Sequence, residues 1–211
     1  MGTISPGGKN IIGDAFKIAQ LKNGCDVLDV GCGDGTTLSF LKEEFEINPV
    51  GIDKSEKLIE QGKEKFKDID LQVGEADYLE FSSFSFDAVI MECTLSVIEM
   101  QTEAIHEAYC LLRPGGKLII TDLFGTEEGT LNKESIIEDC EEIGFSVFQT
   151  QDRTDDLVTF TAEKILEHGS LKEYFESITP EGDDTNFFCK AAYDSKNIKY
   201  LLLILEKRII A

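Results

Sequence analysis

The sequence VLDVGCGDG, residues 27–35, decides the fold of this chain. Its first four residues are mostly apolar, as in a buried strand, and the glycines that follow open a stretch with apolar residues at helical spacing. Glycines in such a turn let the backbone approach a ligand closely, and the helix behind them offers N–H groups without intrahelical partners. Many nucleotide-binding folds share this succession, so the stretch predicts an α/β sheet with a binding site at its first turn.

Outward from this turn, apolar runs alternate with amphipathic stretches. The runs predicted to be strands are residues 26–30, 48–52, 70–73, 86–91, 117–121, 145–150 and 198–205. The stretches predicted to be helices between them are residues 36–45, 55–66, 103–112 and 132–143. This alternation indicates right-handed β-α-β units. Continuous apolar runs suit strands that are covered on both faces, so the pattern predicts a doubly wound, mostly parallel sheet with helices on both faces.

A chain of this length usually folds around one core, so we predict a single domain over residues 1–211. Its predicted segments are an N-terminal cap segment (1–24), a core (25–150), a helical insertion between the sixth and seventh strands (151–197) and a last strand (198–208). The helices predicted outside the core are residues 10–21, 154–168, 170–178 and 185–193. The insertion is either a lid or an oligomer surface, and we favour a lid because binding crevices are commonly roofed in this way.

The net charge is strongly negative, with 41 Asp and Glu residues against 20 Lys and Arg residues and a formal charge of −21. A field of this sign repels phosphate backbones and anionic lipid headgroups. We therefore expect no nucleic acid and no membrane as partner. The expected partner is a small-molecule substrate. The protein itself is expected to be a monomer or a homodimer.

The six cysteines form no C-x-x-C pair, so a zinc site has little support and we expect no metal. Residues 1–9 lack the apolar centre of a signal peptide. The longest apolar run, residues 200–205, is too short to span a bilayer. Together these features predict a reduced, cytoplasmic protein.

Three acidic residues lie at or after the ends of the first three predicted strands. Asp29 comes two residues before the first glycine, where it would repel a pyrophosphate and suit the ammonium group of an amino acid. Asp53 ends the second strand, where a carboxylate can accept both hydroxyls of a ribose or can simply cap the next helix. Asp77 can accept from an adenine amino group, although acids are common in such loops. A dinucleotide fingerprint would need glycine at Thr36, which argues against a nicotinamide cofactor.

Five segments in order then resemble the class I S-adenosylmethionine (SAM)-dependent methyltransferases, across residues 25–150. The matching segments are VLDVGCGDG (27–35), GIDKSEKLI (51–59), GEADYLEF (74–81), SFDAVIMEC (85–93) and LLRPGGKLIITDL (111–123). The resemblance implies a seven-stranded sheet of order 3-2-1-4-5-7-6 whose seventh strand is antiparallel. It also implies SAM as the cofactor and S-adenosylhomocysteine as its product.

The same resemblance implies which residues hold the cofactor. They are Asp29, Gly31, Cys32, Gly33, Asp53, Lys54, Ala76, Asp77, Tyr78 and Glu92. In the family, the glycine turn passes under the methionine part of SAM, and the acid matching Asp29 lies near its amino group. The acid matching Asp53 binds the ribose and its neighbour Lys54 lies along the adenine. The acid matching Asp77 meets the adenine amino group, with Tyr78 alongside.

Methyl transfer from a sulfonium is an in-line displacement, so alignment and exclusion of water can suffice. A general base is needed only where the nucleophile carries a proton. The acceptor is expected beyond the fourth strand, where the sequence reads MECTLS (91–96). Glu92 and Cys93 are the candidates there, Glu92 to accept a proton or hold a cationic acceptor and Cys93 to bind a soft one. His168 is a weaker candidate for a base, since a cation at a helix C-terminus has a structural explanation.

The leading hypothesis is methyl transfer to a small-molecule acceptor, and a protein acceptor stays open. A second hypothesis is a non-catalytic module that binds SAM or a partner protein. A third is an NAD(P)-dependent reductase, which the residue at Thr36 and the lack of a Tyr-x-x-x-Lys pair disfavour. Turnover of methyl groups separates the first hypothesis from the second.

Overall fold

The computed structural model describes residues 5–126, 130–178 and 198–209. The strands are β1 (Asp26–Val30), β2 (Asn48–Asp53), β3 (Asp70–Val73), β4 (Phe86–Glu92), β5 (Leu112–Phe124), β6 (Phe145–Asp152) and β7 (Lys199–Lys207). The helices are α1 (Gly8–Ile18), α2 (Thr36–Phe45), α3 (Glu56–Lys65), α4 (Gln101–Leu111), α5 (Lys133–Ile143), α6 (Thr154–His168) and α7 (Leu171–Ile178). A short 3-10 turn, Leu95–Val97, follows β4.

All seven strands form one sheet of order β3-β2-β1-β4-β5-β7-β6. The pairs from β3 through β5 are parallel, and β7 is antiparallel to both β5 and β6. The predicted fold and strand order are confirmed. Because the parallel strands all end at one edge of the sheet, their carboxyl ends and the start of β7 gather the candidate residues there.

Both faces of the sheet are covered by apolar residues that alternate along the strands. On one face, Val27, Ile90 and Ile204 pack with residues of α1, α2, α3 and α6. On the other face, Leu28, Val89 and Leu203 pack with residues of α4 and α5. This double coverage explains why the strands read as continuous apolar runs in the sequence.

The main differences from the predicted boundaries lie at α1, which covers Gly8–Ile18 where residues 10–21 were predicted, and around α4 and β5. The predicted strand 117–121 is longer and begins at Leu112, so the Pro-Gly-Gly segment belongs to the strand. Leu112 pairs with Phe86, and a register shift before Ala88 accommodates the extra residues. Gly115 takes a φ of 81° there, which glycine adopts without steric cost.

The insertion after β6 begins with α6 and α7, as predicted, and the predicted helix 185–193 lies outside the described residues. Arg153, just before α6, pairs with Asp14 of α1 at 3.0 Å and with Asp156 at 2.5 Å. Its backbone N–H donates to Tyr200 O at 2.7 Å. The first turn of the insertion is therefore joined both to α1 and to β7.

Within the described ranges, no helix has the length and apolar character needed to cross a membrane. The same ranges contain no group of three or more histidine, cysteine, aspartate or glutamate side chains placed to hold a metal ion.

Candidate cofactor and acceptor site

The turn after β1 is built from glycines with positive φ angles, a region that other residues rarely adopt. The N–H groups of Gly31 and Cys32 donate to Ile52 O at 2.8 and 2.9 Å, which joins the turn to the end of β2. A Cβ at Gly31 would lie 2.4 Å from Thr94 Oγ1, so only glycine fits below the loop that follows β4. A Cβ at Gly33 would meet no atom within 4 Å. Gly33 therefore faces open space, as the floor of a ligand cradle does.

Asp53 holds this turn from the neighbouring strand. Its Oδ2 accepts from the N–H of Gly33 at 2.8 Å, and its Oδ1 accepts from the N–H of Ser55 at 2.8 Å. Ser55 is the N-cap of α3, as predicted, because its Oγ accepts from Leu58 N. Asp53 thus accepts a hydrogen bond at the start of α3, in line with the capping role offered for it, and it also holds Gly33, which the sequence analysis did not predict. Each of its oxygens keeps a further lone pair, which a ribose hydroxyl can use.

Asp29, which the sequence analysis placed near the amino group of a ligand, is a buried acid of the cradle. It is only 2% exposed, and its Oδ1 has no hydrogen-bond partner among the described residues. Burial, followed by the charges of Glu92 and Asp53, raises the pKa of this carboxyl well above its ordinary value. A buried carboxyl without a partner costs free energy, which a cation brought by a ligand can offset.

Glu92, at the end of β4, faces the same cradle. Its two carboxylate oxygens accept from Ser5 Oγ at 2.7 Å and from Thr37 Oγ1 at 2.9 Å. Burial raises the pKa of Glu92, and these two hydrogen bonds oppose the rise. Among the described residues, no ion pair neutralises Asp29, Glu92 or Asp53. The residues present therefore fit a ligand that carries an ammonium or a sulfonium, as SAM does.

The other four predicted cofactor contacts lie at the surface or partly buried, next to Asp53. Lys54, Asp77 and Tyr78 are exposed, and Ala76 packs partly against the core on the Leu28 side of the sheet. The loop that carries the last three is joined to β2 through Gly74 N and Asp53 O at 3.1 Å. These residues lie beside Asp53 at the carboxyl edge, where an adenine would follow a ribose.

Cys32 is buried inside the turn, and its side chain faces the protein. A Cβ at Gly51 would lie 2.7 Å from its Sγ, which shows how closely β2 passes behind it. Burial raises the pKa of the Cys32 thiol beyond the normal range. A contact between this residue and a cofactor would therefore come from its main chain.

Cys93 follows β4 directly and has a φ of 52°, the left-handed region. Its N–H donates to Thr121 O at 2.7 Å, and its Sγ lies 3.4 Å from the hydroxyl oxygen of Tyr200. Burial raises the pKa of the Cys93 thiol well above its ordinary value. The group is therefore a neutral thiol at physiological pH, suited to contact a substrate but not to attack one.

His168 ends α6, away from the acids of the cradle. Its Nε2 is 3.8 Å from Glu167 Oε2, and its ring centroid is 5.1 Å from that of Tyr174. No contact with Glu92 or Cys93 is present in the described part of the chain. This placement favours the structural explanation, a histidine that packs on Tyr174 at the C-terminal end of α6. Cys189, a further thiol of the insertion, lies outside the described residues.

Four side chains at this edge were missed by the sequence analysis, namely Ser5, Thr37, Asp122 and Tyr200. Asp122 offered a signal, since it is an acid inside the apolar run LIITDLF (118–124). Ser5 and Tyr200 offered none, because their contacts join segments that are far apart in the chain. All four are buried or partly buried and hydrogen-bonded to residues at the carboxyl edge.

A sheet of this order, with buried acids beside the turn after β1, is the arrangement of the class I SAM-dependent methyltransferases, as the sequence resemblance implied. The chain belongs to the methyltransferase-domain family, whose model matches residues 21–180.

Curated relatives with similar sequences are methyltransferases. Phosphoethanolamine N-methyltransferase 3 of Arabidopsis thaliana is 31% identical over 125 residues, which are 57% of this chain and 26% of that protein. Demethylmenaquinone methyltransferase of Listeria welshimeri is 33% identical over 116 residues, which are 52% of this chain and 49% of that protein. The matched part of this chain thus spans about a quarter to a half of the length of these relatives.

Solved structures share the fold over nearly the whole chain. Phosphoethanolamine N-methyltransferase 2 of Haemonchus contortus, solved with S-adenosyl-L-methionine, has a TM-score of 0.76 and 23% identity, covering 99% of this chain and 54% of that one. The [4+2]-cyclase SpnF has a TM-score of 0.77 and 20% identity, covering 96% of this chain and 81% of that one. At these identities the likeness concerns the fold.

Proposed function

We propose that this protein transfers a methyl group from SAM to a small-molecule acceptor. The observation that carries the proposal is the buried, unpartnered Asp29 oxygen beside an open cradle at Gly33. A ligand that fits must bring a positive charge near Asp29 and a flat or narrow part over Gly33. SAM has both features, because its amino acid end is cationic and its ribose and adenine extend away from it.

When bound, SAM would supply a methyl group on a positively charged sulfur. The electron pair of the broken C–S bond would stay on the sulfur, so that the leaving compound is the neutral thioether S-adenosylhomocysteine. The chain supplies the alignment. Asp29 accepts from the ammonium of the amino acid part, and Asp53 accepts from the ribose hydroxyls while it holds Gly33 in place. Asp77 accepts from the adenine amino group, and its neighbours in the loop after β3 lie alongside the adenine ring. The cradle excludes water from the reacting end, which strengthens these contacts.

The acceptor enters on the side of Cys93 and the loop after β4. Glu92 has a raised pKa and holds hydroxyl donors on both oxygens, so it can hold a cationic acceptor or take the proton that an amine or hydroxyl loses. Cys93 contributes a neutral contact surface. His168 contacts Glu167 and Tyr174 instead and takes no part in the proposed transfer.

A small acceptor agrees with the charge of −21, which disfavours nucleic acid and anionic membranes as substrates. The relatives named above are methyltransferases of phosphoethanolamine and of demethylmenaquinone, both small molecules. We extend this acceptor class to the present chain, together with a cytoplasmic location and action as a monomer or homodimer. The insertion that begins with α6 is the proposed lid.

A second candidate is a SAM-binding module that transfers no methyl group. One specific observation favours it, namely that a chain of the same fold is described as a [4+2]-cyclase. The intact cradle supports binding equally in both cases, so only turnover distinguishes them. Methylated product from a metabolite extract supports the first candidate, and SAM binding without product supports the second.

Calorimetric titration with SAM, S-adenosylhomocysteine and NADH tests the cofactor. We expect micromolar binding of the two sulfur compounds and none of NADH. Position 36 holds threonine where a site for the pyrophosphate of a dinucleotide has glycine. Binding of NADH alone would overturn the proposal.

The same titration should detect release of a proton when SAM binds. Burial and neighbouring carboxyls raise the pKa of Asp29, and an ammonium placed beside it lowers that pKa again. Protons therefore leave the protein, and the apparent binding enthalpy should differ between buffers of low and high ionisation enthalpy. In Asp29→Asn the buffer dependence should be reduced. Equal enthalpies in all buffers for the native protein would contradict this role of Asp29.

Asp53→Ala should weaken SAM binding more than tenfold. Each ribose hydrogen bond to a charged acceptor is worth about 1.5–3 kcal/mol, and the substitution also frees the N–H of Gly33. Asp152→Ala is the matched control, since Asp152 likewise accepts from the N–H two residues on, at Thr154, but lies at the end of β6. An affinity that Asp53→Ala leaves unchanged would remove the ribose assignment.

A further inference from the structure

Asp122 is a fully buried acid that the proposed transfer reaction does not use. It lies near the end of β5, in the run LIITDLF (118–124) whose one other polar residue is Thr121, and is 0% exposed. Its carboxylate is saturated with donors: Oδ2 accepts from Ser96 N at 2.9 Å, and Oδ1 accepts from Ser96 Oγ at 2.7 Å and from Leu123 N at 2.8 Å. Two of these three bonds go to a single residue of another segment.

Ser96 lies in the 3-10 turn of the β4 loop, which we define as residues 93–98. This loop begins with Cys93 in its left-handed conformation and continues with Thr94, which covers Gly31. Thr94 Oγ1 donates to Glu92 O at 3.0 Å. The loop therefore lies between the cofactor turn and the acceptor side, and any shift of the loop changes both.

Burying an ionised carboxylate in the middle of a sheet costs free energy, because the charge loses its hydration. A hydrophobic residue of similar volume at position 122 would bury without desolvation of a charge. Asp122 is the only ionisable residue in the run LIITDLF (118–124), and it is the residue that holds the β4 loop. Local departures from good packing of this kind tend to occur at functional sites.

We infer that Asp122 is a positioning residue, which through its paired hydrogen bonds to Ser96 holds the β4 loop in the place that methyl transfer requires. The inference rests on the proposed function for its purpose, and on the contacts of Asp122 for its mechanism. A charged acceptor binds Ser96 N–H and Oγ–H more strongly than a neutral one. Two bonds to one residue also fix the orientation of the turn, which one bond would not.

The groups around Asp122 are mostly neutral. Ser96 donates to it from the β4 loop, and the thiol of Cys93 is close enough to feel the charges of both Asp122 and Glu92. On the other side, β7 places Leu201 opposite Asp122 in the sheet. Burial raises the pKa of Asp122 to about 6, against hydrogen bonds from Ser96, Leu123 and Leu95 that lower it. The carboxylate is thus charged at neutral pH and the contact with Ser96 is charge-assisted.

Two variants test the inference, Asp122→Asn and Ser96→Ala. We measure hydrogen exchange of the amides of residues 93–98 and the alkylation rate of Cys93, read from its peptide by mass spectrometry. Both variants should raise loop exchange at least fivefold. Ser96→Ala leaves the carboxylate in place, so a faster alkylation of Cys93 in that variant reports movement rather than a change of local charge. The double variant should equal the stronger single one, because the Oγ bond that Ser96→Ala removes is one of the two bonds that Asp122→Asn weakens.

Global stability and transfer separate a positioning role from a merely structural one. At pH 7.5, Asp122→Asn should unfold at an equal or higher denaturant concentration than the native protein, although its β4 loop is looser. In the transfer assay, both variants should raise the KM of the acceptor at least fivefold and alter SAM affinity less than threefold. Asp87→Asn, an acid at the opposite end of the neighbouring strand β4, is the matched control and should leave loop exchange unchanged.

The inference fails if Asp122→Asn and Ser96→Ala leave loop exchange and alkylation as in the native protein. It also fails if both variants lose global stability in proportion to the loop change. These readouts need no methyl acceptor. A protein that binds no SAM would refute the proposed function while the loop measurements still decide the role of Asp122.

Discussion

Gly33→Ala is expected to weaken SAM binding about thirtyfold or more, while Gly24→Ala leaves it unchanged. Both glycines have positive φ angles, 56° and 78°, and a Cβ at either position would meet no protein atom within 4 Å. The two substitutions therefore carry the same kind of backbone strain, about 1–2 kcal/mol for an L-residue in the left-handed region. Only Gly33 lies in the cradle, so only there does the new methyl group compete with a ligand.

The size of this effect follows from overpacking. One methyl group forced into an occupied, close-fitting site costs about 2–3 kcal/mol, which corresponds to roughly 30–150-fold in affinity. Affinity by calorimetry and stability by thermal unfolding are measured on both variants. Equal losses of affinity in Gly33→Ala and Gly24→Ala would mean that strain, and not the cradle, governs binding. Full affinity in Gly33→Ala would place the cofactor elsewhere.

The unfolding free energy of Asp122→Asn should rise by about 2–3 kcal/mol relative to the native protein between pH 4 and pH 7.5. Burial raises the pKa of Asp122 from 3.8 to about 6 in the folded state, so folding favours the protonated form. The stabilisation is complete below the unfolded pKa and is lost as pH rises through about 6. A shift of about two pKa units is worth about 3 kcal/mol, and asparagine does not titrate.

Urea unfolding of both proteins across this pH range gives the difference directly. Asp87→Asn removes one negative charge from a chain of net charge −21 and controls for weaker general repulsion. Asp87 pairs with Arg113 at the opposite edge of the sheet, with its side chain 37% exposed. A stability difference that stays constant from pH 4 to pH 7.5 in Asp122→Asn would show that burial does not disfavour the charge. If the native protein is less stable than Asp122→Asn at pH 7.5, the charge of Asp122 lowers the free energy of unfolding. A charge that is kept at a cost in stability supports the positioning role.

Much of the site was predictable because it follows strand ends. Asp29, Gly33 and Asp53 are each within a few residues of an apolar run, and a parallel sheet brings such ends to one edge. The helix bounds were equally local, as for α2 and α6, whose periodicity and flanking turns are written in neighbouring residues. The extension of β5 through Pro114 was missed because it depends on pairing with β4.

The sequence by itself determined the class of fold, the strand order implied by the resemblance, and the acids that line the carboxyl edge. These follow from periodicity, from glycine turns and from short spacings along the chain. Only the tertiary structure decided that Ser5 and Thr37 hold Glu92, that Tyr200 meets Cys93 and that Asp122 holds Ser96. Each of these contacts joins segments separated by many residues, and side-chain hydrogen bonds depend on a position within a few tenths of an ångström that no pattern along one chain specifies.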